Sequence, residues 1–308
     1  MAESGTQAGV VAAPAAVLPE RSAHVQLVAD LATLTKPKVQ LLLIFTTVAA
    51  MLVAGAPSLW LVVATCVGGY LSAGGAGAIN HAFDRDIDAQ MARTASRPVP
   101  SGRLSARFAV AYGVALAGTS VVWLSVLVNP LAAALSFSGF VGYVGVYTMW
   151  LKRRTPQNIV IGGAAGAVPP LVGWAAVEGS VSGLAVFMFA IVFFWTPPHF
   201  WALSLLMKGE YERVGVPMLP VVRGEAETRR QILLYSVLLF AVTQLPFCAG
   251  GLGLVYLGSS IALGGWFIWL ALRLSRSGDR RDALRLYLSS LLYLALLFAA
   301  MVADAKLL

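Results

Sequence analysis

Nine runs of mostly apolar residues follow one another along the chain, at roughly 39–55, 59–79, 107–127, 131–150, 158–176, 183–206, 232–250, 254–272 and 286–304. Each comes close to the ~20 residues of helix needed to cross a bilayer. The pattern predicts an all-α integral membrane protein, a bundle of nine transmembrane helices. The first run is short, and a Gly-rich turn alone divides the pair around 232–272, so eight or ten spans stay open. The polar positions fall unevenly between the runs. Connections near Ala54–Ser58, Asn129-Pro130, Val177–Gly183 and Gly250–Gly253 are short and nearly uncharged, whereas those at 80–106 and 207–231 are long and polar. Function usually sits on loops held by a rigid scaffold, so the end carrying the long loops is expected to work. Those loops follow spans two and six, which hints at a duplicated four-helix unit with one helix added.

Composition supports the membrane reading. Of 308 residues, 58% are hydrophobic and 12% charged, about half the charged share of a soluble domain. The net charge of +8 does not indicate nucleic acid. With the N-terminus in the cytoplasm, every Lys and Arg except Lys306 falls on the cytoplasmic side, as the positive-inside bias requires. The expectation is a multi-pass protein of the cell membrane, its N-terminus and long loops cytoplasmic. Residues 1–30 lack a basic secretory n-region and read as a mobile tail before one transmembrane domain, 31–308. Cys66 and Cys248 have no metal-ligand spacing and read as small buried residues. Gly-rich stretches in spans two and five read first as close helix packing, and second as room for a ligand.

The candidate chemistry starts at Asn80, Asp84 and Asp88. On a helix, positions i, i+4 and i+8 share one face. Two carboxylates and an amide there suit Mg²⁺, which favours one or two carboxylates together with substrate phosphates. Asp86 points away from that stripe and reads as its support. Arg85, Arg93, Arg97 and Arg103 crowd the same loop. Arg grips phosphate bidentately, so acids and cations together fit a metal-bridged polyanion. In the second loop, Glu210 and Glu212 are the acids at a comparable position, and Glu210 is a candidate for a second metal. His81 and His199 are candidates for a haem ligand or proton carrier.

These motifs resemble the UbiA superfamily of intramembrane prenyltransferases. The superfamily sign is Asn80-x-x-x-Asp84-x-x-x-Asp88. Leu34-Thr35-Lys36-Pro37-Lys38, Arg93-Thr94…Arg97-Pro98, Trp150–Gly163, Pro169–Trp174, Thr196–Trp201 and Gly215–Pro220 narrow the resemblance to its haem-farnesylating members. The resemblance implies a nine-helix bundle with a central cavity open to the cytoplasmic side. It implies farnesyl diphosphate and haem B as substrates, haem O as product and Mg²⁺ as cofactor. Asp84, Asp88 and Lys152 would carry catalysis. Asn80, Arg93, Arg97, Tyr147, Arg154, His81, His199 and Lys208 would contact diphosphate or haem, and Asn80, Asp84, Asp88 and Glu210 the metal. The partners it implies are the lipid bilayer and assembly with haem A synthase or a terminal oxidase. The second acidic motif departs from the family pattern, because Gly209-Glu210 stands where two adjacent aspartates are expected. A quinone-type UbiA enzyme, a transporter and a haem-handling protein without catalysis stay open as alternatives.

Overall fold

The computed structural model describes residues 22–307. Fourteen α-helices and one π-helical stretch make up the regular structure of these residues, which contain no strand. Helix α1 (Ala23–Leu34) is followed by α2 (Pro37–Ala54), α3 (Leu59–Phe83), the short α4 (Arg85–Gln90) and α5 (Ala106–Leu127). Then come α6 (Pro130–Val141), a π-helical continuation (Gly142–Leu151), α7 (Asn158–Ala167), α8 (Pro169–Glu178) and α9 (Gly183–Leu206). The chain closes with α10 (Lys208–Arg213), α11 (Leu219–Val222), α12 (Gly224–Cys248), α13 (Leu254–Ser277) and α14 (Arg280–Leu307).

Nine helical segments among the described residues are long and apolar enough to span a membrane, with α6 and its π continuation forming one and α7 with α8 another. The protein is a multi-pass membrane bundle. Two spans begin earlier than hydropathy alone suggests. Helix α12 starts at Gly224 and α14 at Arg280, each adding a charged opening turn to its apolar run. Of the expected tail, residues 1–21 lie outside the described residues; His24, assigned to it, sits in α1.

Local chemistry sets the helix ends. Ser58, Ser105, Asn129 and Ser182 each accept a backbone N–H three residues on, the N-cap bond that satisfies an otherwise orphaned donor. Pro169 starts α8 and marks its break from α7. The Gly-rich stretch of α3 mainly serves packing. A Cβ on Gly75 would lie 2.5 Å from the Gly113 carbonyl oxygen of α5, and one on Gly68 would lie 2.4 Å from Leu124. Small residues thus let α3 and α5 touch at backbone distance. The cysteines differ from expectation: Cys66 is half-buried, and Cys248 is exposed at the end of α12.

The main core joins α2, α8, α9, α12, α13 and α14 through side chains such as Met188, Ile191, Leu239, Phe267, Tyr293 and Phe298. At the C-terminal end of α14, the buried Asp304 accepts the Gly253 and Tyr256 backbone N–H groups that open α13. A smaller cluster of Leu34, Ala78, Ala82, Val99 and Ala109 fastens α1 and the first long loop to α3 and α5. A third joins Ile87 and Met91 of the first loop region to Ile159, Val216 and Met218. The last of these brings the two long connections together.

Candidate active site

The polar stripe is carried on α3 and α4, across a break at Asp84. Asp84 leaves helical geometry only slightly (φ −91°, ψ 4°), and the backbone ladder continues through it. Asp84 N–H donates to the Asn80 carbonyl at 2.9 Å, and Asp88 N–H to the Asp84 carbonyl at 2.7 Å. Hence Asn80, Asp84 and Asp88 keep one face, and they turn inward, 3%, 1% and 4% exposed. Arg153 pins the break by donating to the Phe83 carbonyl and, at 2.6 and 2.7 Å, to both oxygens of Asp86. Asp86 points outward as expected. This guanidinium holds its carboxyl down at about 2.

Each group of the stripe meets a cation. Lys152 is ion-paired with Asp84, and Arg97 donates to Asp88 at 2.7 Å. Lys36 donates to Asn80 Oδ1 at 2.5 Å and to the Tyr143 hydroxyl at 3.3 Å. The Asn80 amide is thereby oriented, since its Nδ2 donates to Asp84 Oδ2 at 2.7 Å and to Thr148 Oγ1 at 3.2 Å. Lys36 is the only non-glycine residue at positive φ (55°) among the described residues. A side chain in that region carries steric strain. The strained turn aims its ammonium inward, where burial first, then Lys152 and Arg97, bring it from 10.5 down to about 7.

The π-helical stretch sets the opposite wall. Its i to i+5 bonding closes with Lys152 N–H on the Tyr147 carbonyl at 2.9 Å, and such stretches often accompany functional sites. It brings Tyr143, Thr148 and, at its end, Lys152 to the stripe. Tyr147 stacks obliquely on Tyr143, ring centroids 5.3 Å apart. A Cβ on Gly162 of α7 would lie 2.4 Å from the Tyr147 ring, so that glycine makes the room Tyr147 occupies.

The structure brings some sequence candidates together and leaves others apart. Asn80, Asp84, Asp88, Arg97 and Lys152 converge. Arg93 and Arg154 are exposed and make no ion pair among the described residues. Lys208 turns away to Glu225 at 3.1 Å. Glu210 makes no ion pair with the stripe, but its Oε2 is buried without a hydrogen-bond partner. Beside it the Tyr211 hydroxyl, raised above 10 by burial, feels opposing pulls from Lys152 and Arg93 and a reinforcing one from Glu210. His81 is 1% exposed with neither ring nitrogen bonded. His199 sits on α9, its Nδ1 2.6 Å from Ser290 Oγ and its ring between Trp195 and Tyr287. No hydrogen bond or ring stacking joins the two histidines among the described residues. Trp195 donates to the Ser290 carbonyl at 2.8 Å, which supports a packing role for that ring.

Reasoning from sequence missed Lys36, Tyr143 and Thr148. Lys36 stood in the Leu34–Lys38 motif that carries part of the family resemblance, but topology accounted for its charge and no role at the site was assigned to it.

The donor set fits a hard divalent cation. Asp84 Oδ1 is buried with no partner, beside a second carboxylate and an amide oxygen. Such an incomplete oxygen shell leaves positions for phosphate oxygens and water. No group of three or more His, Cys, Asp or Glu gathers among the described residues, so an all-protein cage is absent there. A concavity of about 200 Å³ lies between the ends of α9, α12, α13 and α14, and one of about 470 Å³ between α13 and α14; no stripe residue lines either.

The model of the UbiA prenyltransferase family matches residues 42–300. The chain belongs to this family. It is 57% identical over 279 residues to a protoheme IX farnesyltransferase of Chloroflexus aurantiacus, covering 90% of this chain but 48% of that protein. It is 51% identical to one of Parvibaculum lavamentivorans, covering 90% and 89%. The chain thus spans about half the length of some of the relatives it matches and most of others. Among solved structures, the fold matches digeranylgeranylglyceryl phosphate synthase (TM-score 0.77, 18% identity, 92% of this chain and 100% of that one). It also matches a UbiA homolog from Archaeoglobus fulgidus bound to DMAPP and Mg²⁺ (TM-score 0.62, 16% identity, 87% and 97%). At those identities the likeness concerns the UbiA fold.

Proposed function

We propose that this UbiA member transfers the farnesyl group of farnesyl diphosphate to a vinyl group of haem B, with addition of water, giving haem O and diphosphate. The observation that carries the reading is the buried Asn80–Asp84–Asp88 stripe ringed by Lys36, Arg97 and Lys152. The high identity to proteins named protoheme IX farnesyltransferase supports the choice of substrates. Lys152 and Arg97 balance the two carboxylates and Lys36 adds a further donor on Asn80, so the enclosed cluster can take up an anion together with a divalent cation.

Asn80, Asp84 and Asp88 would hold Mg²⁺, with Glu210 the candidate for a second ion. Bound there, Mg²⁺ supplies Lewis-acid stabilisation of charge on the leaving diphosphate. Lys152, Arg97 and Lys36 would exchange their present carboxylate and amide partners for diphosphate oxygens, where preorganised donors stabilise developing charge. Tyr147 lines the same wall. Exposed Arg93 and Arg154 attract the polyanion to the mouth, and Lys208 is a further candidate once released from Glu225.

The reaction balances without an oxidant. The C–O bond breaks with its electron pair leaving on diphosphate. The vinyl group then forms a C–C bond to farnesyl C1, and water adds to the resulting porphyrin side-chain cation and releases a proton. The apolar seal of Ile87, Met91, Val216 and Met218 limits early quenching by water. Trp174, Phe200 and Trp201 are the aromatic candidates to shield the cation, while the Trp195 ring serves packing. On the haem side, the candidates are His199, whose Nδ1 is engaged by Ser290, and His81, whose two ring nitrogens are buried without a partner. The working end faces the cytoplasm of a cell membrane, as the charge bias favours. The product would feed haem A synthase or terminal oxidase assembly.

Purified protein given farnesyl diphosphate, Mg²⁺ and an equimolar mixture of haem B and a quinone precursor tests this directly. The expected product is haem O, identified by mass. A prenylated quinol without haem O would refute the acceptor, and haem binding without turnover would refute the enzyme.

A further inference from the structure

We infer that Asp30 and Arg103, neither of which reaches the stripe, are positioning residues that fix the diphosphate half of the site from outside it. The inference rests on the metal–diphosphate reading above. Asp30 is on α1 and only 4% exposed. Arg103 closes on it as a fork, with Nε 2.9 Å from Oδ2 and Nη2 3.0 Å from Oδ1. The same guanidinium donates to the Ser96 carbonyl at 3.1 Å and to Ser101 Oγ at 2.8 Å. One side chain therefore ties the loop between α4 and α5 to itself and to α1. Bidentate Arg–carboxylate pairing adds geometric definition that a lysine would not supply. Arg103 holds the Asp30 carboxyl below its ordinary 3.8, so the clasp stays ionised at neutral pH.

What the clasp joins gives it a role beyond stability. The loop delivers Arg97 to Asp88 at 2.7 Å, and Thr94 Oγ1 to the Asp88 carbonyl at 2.9 Å. Helix α1 ends at fully buried Leu34 and leads straight into Lys36, which grips Asn80. Leu34 packs with Ala78, Ala82 and Val99, and a Cβ on Gly77 would lie 3.0 Å from its carbonyl oxygen. Arg97 and Lys36 address opposite ends of the stripe, one from each element that the clasp joins. Loosening Asp30–Arg103 releases both at once. Lys152, on the far wall, stays in place. The loss should fall on diphosphate and spare haem.

The test uses the full chain in detergent, with Asp30→Asn, Arg103→Gln and the double variant. Affinity for farnesyl diphosphate with Mg²⁺, affinity for haem B, both KM values and the unfolding midpoint are measured. Each single variant is expected to weaken farnesyl diphosphate binding about tenfold and to raise its KM in step, leaving haem affinity and kcat near wild type. The double variant should bind no more weakly than either single, because one clasp is lost in each case. Unchanged diphosphate affinity in the singles would overturn the inference, whether or not the unfolding midpoint falls. Equal losses for haem and diphosphate, or additive losses in the double, would also overturn it. If Arg103→Gln fails to accumulate, Arg103→Lys, which keeps the charge without the fork, should show a smaller shift of the same kind. Failure of the wild-type protein to bind farnesyl diphosphate would instead remove the functional reading beneath, a separate and recognisable result.

Discussion

The connections after α3 and after α9 are built alike and equipped differently. Each long helix ends in a one-residue break, Asp84 or Met207, followed by a six-residue helix. In the first, the break residue is a buried aspartate, and the acids on the inward face meet Lys152 and Arg97. In the second, the break residue is methionine, Lys208 pairs outward with exposed Glu225, and Glu210 alone keeps a buried oxygen without a partner. The two are fastened together, since Arg213 of α10 donates to the Gln90 carbonyl of α4 at 2.8 Å. The repeated helical form therefore supplies position, and side-chain choice assigns the chemistry. On the proposed function, the first connection is the diphosphate anchor and the second its cover.

Matched substitutions in the two connections can break that contrast. The largest difference is expected between Asp84→Asn and Glu210→Gln. The first should lower kcat/KM by at least about 10³-fold, since it removes the proposed metal ligand and the partner of Lys152. The second should cost several-fold and raise the Mg²⁺ requirement; equal effects in a steady-state assay would make the connections equivalent. Next, Lys152→Met should cost on the order of 10²–10³-fold in kcat, against less than about twofold for Lys208→Met, whose pair is exposed and weak. Arg97→Gln should then raise the KM for farnesyl diphosphate some tens of fold, because it removes a charge-assisted donor. Arg213→Gln, which loosens the cover, should raise it only a few-fold. Smallest in activity is Gly162→Ala, whose added methyl crowds the Tyr147 ring. Overpacking of this kind should lower stability by about 1–3 kcal/mol, measured by thermal unfolding in detergent.

Much of the fold was legible because membrane insertion demands long apolar runs, and nine such runs stand in the sequence. The stripe was legible too, since a four-residue spacing keeps its face even across the shallow break at Asp84. Other features leave no such mark. The openings of α12 and α14 are charged, as interfacial turns often are, so hydropathy starts those helices late. A π-helix has the same composition as an α-helix, so nothing in Gly142–Leu151 announced the register that brings Tyr143, Thr148 and Lys152 to one wall. Lys36 was hidden because a residue before proline normally favours extended backbone. Its left-handed turn became visible only once Asn80 and Tyr143 stood at the end of its side chain. Asp30 and Arg103 are seventy-three positions apart, and no local pattern links them.

Calorimetric titration of farnesyl diphosphate into the wild-type protein and into Asp84→Asn, each with and without Mg²⁺, bears most directly on the central claim. Wild-type binding should require Mg²⁺, and Asp84→Asn should lose that metal-dependent binding while remaining folded. Binding of equal strength in the variant, or wild-type binding indifferent to Mg²⁺, would contradict the assignment of this stripe as the diphosphate anchor.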